Sequence, residues 1–116
     1  MRKRYPISNY SITQSELMRL AISEEEKMIV TEILKKQLPS DVSVWAYGSR
    51  LRHDNRPGSD LDLIIIQQQP MTLKTMTELQ DAFSESQLHF KVEFEDWHRL
   101  TTTFKKIIEQ NYVPLL

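Results

Sequence analysis

Apolar residues recur along this chain first at helical spacing, then in alternation, then in one unbroken run. Ile29, Val30, Ile33, Leu34 and Leu38 return every third or fourth position, which predicts a helix over 24–37 with one buried stripe. Ser23-Glu24-Glu25-Glu26 marks its start as a capping box, with an acidic first turn that suits the positive end of the helix dipole. Lys35 and Lys36 occupy the last turn, and Pro39 stops it. Val42, Val44 and Ala46 then alternate with Ser43, Trp45 and Tyr47, the period of a half-buried strand over 42–47. Within a second strand, 60–66, Leu63 to Ile66 are apolar on both faces, so this strand lies centrally in a sheet. Leu73, Met76, Leu79, Ala82 and Phe83 form the inward stripe of a helix from Thr72 or Thr75 to about Ser86. Phe90 to Glu95 alternates again, with Phe90, Val92 and Phe94 on one face and Lys91, Glu93 and Glu95 on the other. Leu100, Phe104, Ile107 and Ile108 give a last helix over 99–110.

The order α-β-β-α-β-α constrains the topology. A helical crossover between the second and third strands predicts parallel neighbours and a right-handed connection. The link between the first two strands is too short for such a crossover, so they are expected antiparallel. The fold class is therefore α+β, with a mixed sheet. Residues 1–22 read as an N-terminal arm in which Thr13-x-x-Glu16 caps a short helix through Leu20. Residues 23–116 form the domain. Trp45 and Trp97 are read as core aromatics, and Ile107, Ile108, Tyr112 and Val113 as core rather than a partner surface.

Composition sharpens this picture at one place. The chain has 116 residues and two glycines, and both glycines fall between Trp45 and Ile66. Glycine serves where the backbone takes a positive φ or approaches a ligand closely. The chemistry is expected there. There is no cysteine, which excludes disulfides, thiolate nucleophiles and cysteine-based zinc sites and fits a reducing cytoplasm. A net charge of −1 supplies no overall basic field, so nucleic acid is not expected as a direct partner. No apolar run is long enough to cross a bilayer, and the basic start Met1-Arg2-Lys3-Arg4 lacks the apolar stretch of a signal peptide.

Asp60 and Asp62 lie two apart at a strand start, so their carboxylates project from one face. Paired carboxylates repel unless a cation sits between them, and an all-oxygen set favours Mg²⁺ or Mn²⁺ over zinc. Mg²⁺ so held completes its shell with water and phosphates. Gly48-Ser49 offers backbone N–H groups and a hydroxyl for phosphates, and Arg50 and Arg52 add positive charge. Glu93, on the strand expected beside Asp62, brings a third carboxylate to the same rim. Asp60, Asp62 and Glu93 are the metal-binding and catalytic candidates, with Glu93 able to accept a proton. Glu95 and Asp96 compete with Glu93 for that role. His53, His89 and His98 show no metal-ligand spacing.

Gly48-Ser49, ten intervening residues, then Asp60-Leu61-Asp62 resembles the G-S-x10-D-x-D signature of the DNA polymerase β nucleotidyltransferase superfamily. The likeness runs from about Ser23 to Tyr112 through V-W-A-Y-G-S-R, S-D-L-D-L-I-I-I and K-V-E-F-E-D-W, and is narrowest with the minimal nucleotidyltransferases. It implies a three-stranded mixed sheet in order 1-2-3 flanked by helices, with Gly48 and Ser49 at the nucleotide phosphates and Asp60 and Asp62 at the metals. It also places Glu93 where the family normally has aspartate, one methylene shorter. Relatives of this size are usually encoded beside a small helical HEPN-type protein. In some pairs the latter is a ribonuclease toxin that the nucleotidyltransferase neutralises by adding AMP to it. The resemblance therefore implies transfer of AMP from ATP to a hydroxyl on a HEPN-type partner. Two other functions remain open: a small-molecule transferase whose partner supplies the acceptor pocket, and a non-catalytic nucleotide-binding interaction module. The nucleotide, the acceptor and homo-oligomerisation are not fixed by the sequence.

Overall fold

The computed structural model describes residues 20–51 and 58–116. The arm helix at Thr13 and the phosphate-binding candidate Arg52 lie outside these residues, as does most of the segment 1–22. Helix α1 spans Glu24–Gln37, and its capping box forms: the Ser23 hydroxyl accepts from the Glu26 amide at 3.0 Å, and the Glu26 carboxylate accepts from the Ser23 amide at 2.8 Å. Strands β1 (Ser43–Tyr47) and β2 (Leu61–Ile66) follow, then helix α2 (Leu73–Ser84). Strand β3 runs Val92–Asp96, and helix α3 covers Thr102–Gln110. Between β3 and α3 a 3₁₀ turn takes Trp97–Arg99, so the last helix begins three residues later than its periodicity predicts. Asp96 caps that turn and Thr101 caps α3, so the helix starts at its own cap after the turn.

The pairing follows the expectation from connection lengths. β1 and β2 are antiparallel, with Tyr47 opposite Asp62; β2 and β3 are parallel, with Asp62 beside Glu93. The expected three-stranded sheet in order 1-2-3 is corrected. The sheet has four strands, ordered β3-β2-β1-β4, because Val113–Pro114 forms a short β4 antiparallel to β1. Leu115 and Leu116 extend the contact through Val44, whose carbonyl accepts from the Leu115 amide at 2.8 Å and whose amide donates to Leu116. Two strand residues, one of them proline, carry no alternation to read.

The two faces of the sheet differ. On one, α1 and α2 cover Val44, Ala46, Leu61, Leu63, Ile65 and Val92, packing Val30, Leu34, Leu79 and Phe83 against them. This is the core. On the other face the register sets Tyr47, Asp62 and Glu93 in one row and Trp45, Ile64 and Glu95 in the next. Aromatics gather here: Trp45 stacks on Tyr112 at 3.9 Å and meets Trp97 edge-on at 5.6 Å, while Tyr47 meets Phe104 of α3 at 5.9 Å. Trp45 and Trp97 are thus half-buried on the second face rather than part of the core. Ile108 is buried, but its neighbour Ile107 is exposed.

Candidate active site

The site is built where β1 ends and β2 begins. Tyr47, the last residue of β1, points to the same face as Asp62, and Gly48 turns the chain away with φ +88°. A side chain on Gly48 would start 2.6 Å from Asp62 Oδ2, so the carboxylate closes directly over bare backbone. Ser49–Leu51 then make one 3₁₀ turn, with the Leu51 amide donating to the Gly48 carbonyl at 3.1 Å. This gives a strand end whose bare peptide faces a carboxylate.

Asp62 is half-buried, and its carboxyl is pushed above the usual carboxylate value, first by desolvation, then by the charges of Glu93 and Asp60. Asp62 therefore lies in the fields of both Glu93 and Asp60. Tyr47 feels the same cluster. Burial, then Asp62, Glu95 and Glu93 raise its phenol to about 12. Glu93 Oε2 takes the Lys91 ammonium at 3.1 Å, with both side chains largely in solvent. Lys91 is held above its ordinary value by the hydrogen bond to Glu93, then by the charges of Glu93 and Asp60. Among the described residues, no three His, Asp or Glu side chains are drawn together tightly enough to chelate a metal. The donor chemistry nonetheless fits a hard divalent cation: three oxygen-bearing side chains on one rim, with an anion at Asp62 that its neighbours destabilise.

Two expectations change. Arg50, read as a phosphate ligand, is 5% exposed and turned inward. Its Nε and Nη2 donate to the Ser59 carbonyl at 3.0 and 2.8 Å, its Nη1 donates to the Ala21 carbonyl at 2.9 Å, and the guanidinium lies 4.1 Å from the Phe90 ring centre. It braces the loop that delivers Asp60. Asp96, a competitor of Glu93 for the third carboxylate, is buried; it accepts from the Met71 amide at 2.7 Å and the His98 amide at 3.0 Å. Its carboxylate is used by the backbone, away from the rim. Tyr47 and Lys91 were missed as site residues, although strand parity places both on the face of Glu93.

Residues 26–115 match the family described as polymerase beta, nucleotidyltransferase. A probable protein adenylyltransferase, MntA, of Haemophilus influenzae is 41% identical over 97 residues, which cover 84% of each chain. Among solved structures, a Shewanella oneidensis complex of a tri-AMPylated HEPN toxin with its MNT antitoxin aligns with TM-score 0.64 at 16% identity. The alignment covers 82% of this chain and 72% of that one. A toxin–antitoxin structure with AMP-PNP aligns with TM-score 0.66 at 17% identity, covering 78% and 72%. At such identities these structures speak for the fold.

Proposed function

The chain belongs to the polymerase beta nucleotidyltransferase family, and we propose that it transfers AMP from ATP to a hydroxyl on a HEPN-type partner protein, as the antitoxin of a toxin–antitoxin pair. The observation that carries the chemistry is the row Tyr47–Asp62–Glu93 across the sheet, with Asp60 two residues back and bare Gly48 against Asp62. The names of the relatives, which specify protein adenylylation and an AMPylated HEPN toxin, support a protein acceptor.

Asp60 and Asp62, with Glu93 beside them, would hold Mg²⁺ or Mn²⁺. Bound there, the metal supplies charge neutralisation for the triphosphate and acidifies an attacking hydroxyl. The chain's own residues do the rest. Gly48 lets phosphate oxygens reach the backbone, and the Ser49 amide and hydroxyl are available to donate to them. The acceptor oxygen bonds to the α-phosphorus as the bond to the β-phosphate oxygen breaks, and pyrophosphate leaves. Glu93 takes the hydroxyl proton. Among the described residues no helix is long and apolar enough to cross a membrane.

The test mixes this protein, its HEPN-type neighbour, Mg²⁺ and ATP labelled at the α-phosphate. Wild type labels the partner and Asp60→Asn does not. Equal labelling by both, or neutralisation of the partner that survives Asp60→Asn and Asp62→Asn, sinks the proposal and leaves a binding module.

A further inference from the structure

Lys91 stands two residues before Glu93 and shares its face of the sheet edge. It sits 3.1 Å from Glu93 Oε2, so its ammonium holds a carboxylate oxygen that a divalent cation bound by Glu93 would use. Among the described residues no other side chain pairs with it, and the Lys91 side chain is 66% exposed and the Glu93 side chain 49% exposed. An ion pair this wet is weak and exchanges easily. A divalent cation carries twice the charge and can bind Asp60 and Asp62 as well, so it wins the competition. The freed lysine has a four-carbon stem and reaches over the same rim, where a triphosphate would lie.

We propose that Lys91 and the divalent metal compete for one carboxylate, Glu93, and that the displaced ammonium becomes a ligand of the nucleotide's phosphates. This rests on the assignment of Asp60, Asp62 and Glu93 to the metal. It gives Lys91 two effects of opposite sign: it weakens binding of bare metal and strengthens binding of nucleotide. It also gives a function to the longer Glu93 side chain, which swings between the ammonium and the metal.

The experiment titrates Mn²⁺ alone, by paramagnetic resonance, into wild type, Lys91→Gln, Lys91→Arg, Glu93→Gln and the Lys91→Gln/Glu93→Gln double variant. Lys91→Gln is expected to tighten Mn²⁺ about two- to fivefold, and Lys91→Arg to match wild type. In the Glu93→Gln background Lys91→Gln should change nothing, which separates competition for Glu93 from a general loss of positive charge. With Mn²⁺ saturating, Lys91→Gln should weaken a non-hydrolysable ATP analogue about three- to tenfold. Unchanged or weaker Mn²⁺ binding in Lys91→Gln, the same tightening without Glu93, or unchanged analogue affinity overturns the proposal. Absence of Mn²⁺ binding in wild type overturns the metal assignment and this inference with it.

Discussion

Asp62 occupies the space where a side chain on Gly48 would begin: a Cβ there would lie 2.6 Å from Oδ2, on a backbone already at φ +88°. Glycine is thus required twice, by the turn and by the carboxylate. Gly48→Ala should lower stability by about 1–3 kcal/mol, read from a denaturant midpoint, because strain and overlap coincide. It should also cut AMP transfer by more than about a hundredfold, since the overlap pushes Asp62 off the rim. Gly58 is the control. A Cβ there meets nothing within 4 Å, so Gly58→Ala should cost little.

Asp62 pays for its position in stability. Its folded carboxyl lies above the ordinary value of 3.8 through burial, Glu93 and Asp60, so just above that pH the folded state binds more protons than the unfolded one. Stability therefore falls as pH rises through this window and stays lower at neutral pH. Asp62→Asn should raise the denaturation midpoint at pH 7 while abolishing transfer, and the gain should vanish below pH 3.8. A midpoint lowered at pH 7 would contradict the arrangement. Mg²⁺ should raise the midpoint of wild type and not that of Asp62→Asn.

Tyr47 reports the same cluster from the other side. Its phenol is raised from 10.0 to about 12 by burial and by Asp62, Glu95 and Glu93. The folded form therefore keeps its proton where an unfolded tyrosine ionises, and stability is present below pH 10 and lost as pH climbs towards 12. An ultraviolet titration should show one of the four tyrosines ionising late. Asp62→Asn should bring that step to lower pH. Tyr47→Phe keeps the edge-on contact with Phe104 and should cost less than about 1 kcal/mol.

The sequence showed the parts of the fold that repeat. Helix α1 was legible to its end residues because cap, stripe and proline agree, and the central position of β2 because Leu63 to Ile66 are apolar on both faces. β4 was not, because its two residues pair only once β1 is in place. At the candidate site, parity set Glu93 beside Asp62, as the strand register has it. What spacing cannot show is which way a charged side chain turns. Arg50 and Asp96 sit beside the rim in sequence, yet each turns inward to satisfy backbone groups that no linear pattern brings together.

Arg50 gives the last prediction. Its guanidinium ties the Ala21 carbonyl to the Ser59 carbonyl, one residue before Asp60, and covers Phe90. Arg50→Ala removes three donations to two carbonyls and opens space beside the ring, so it should cost about 2–4 kcal/mol. Arg50→Lys keeps the charge but not the planar fork, and one ammonium cannot copy the paired donation to Ser59 along with that to Ala21. Lysine should therefore recover less than half of the lost stability. If Arg50 instead served the phosphates as a plain cation, lysine would restore nucleotide affinity and alanine would leave the denaturation midpoint unchanged. Measuring both quantities on both variants separates the brace from the ligand.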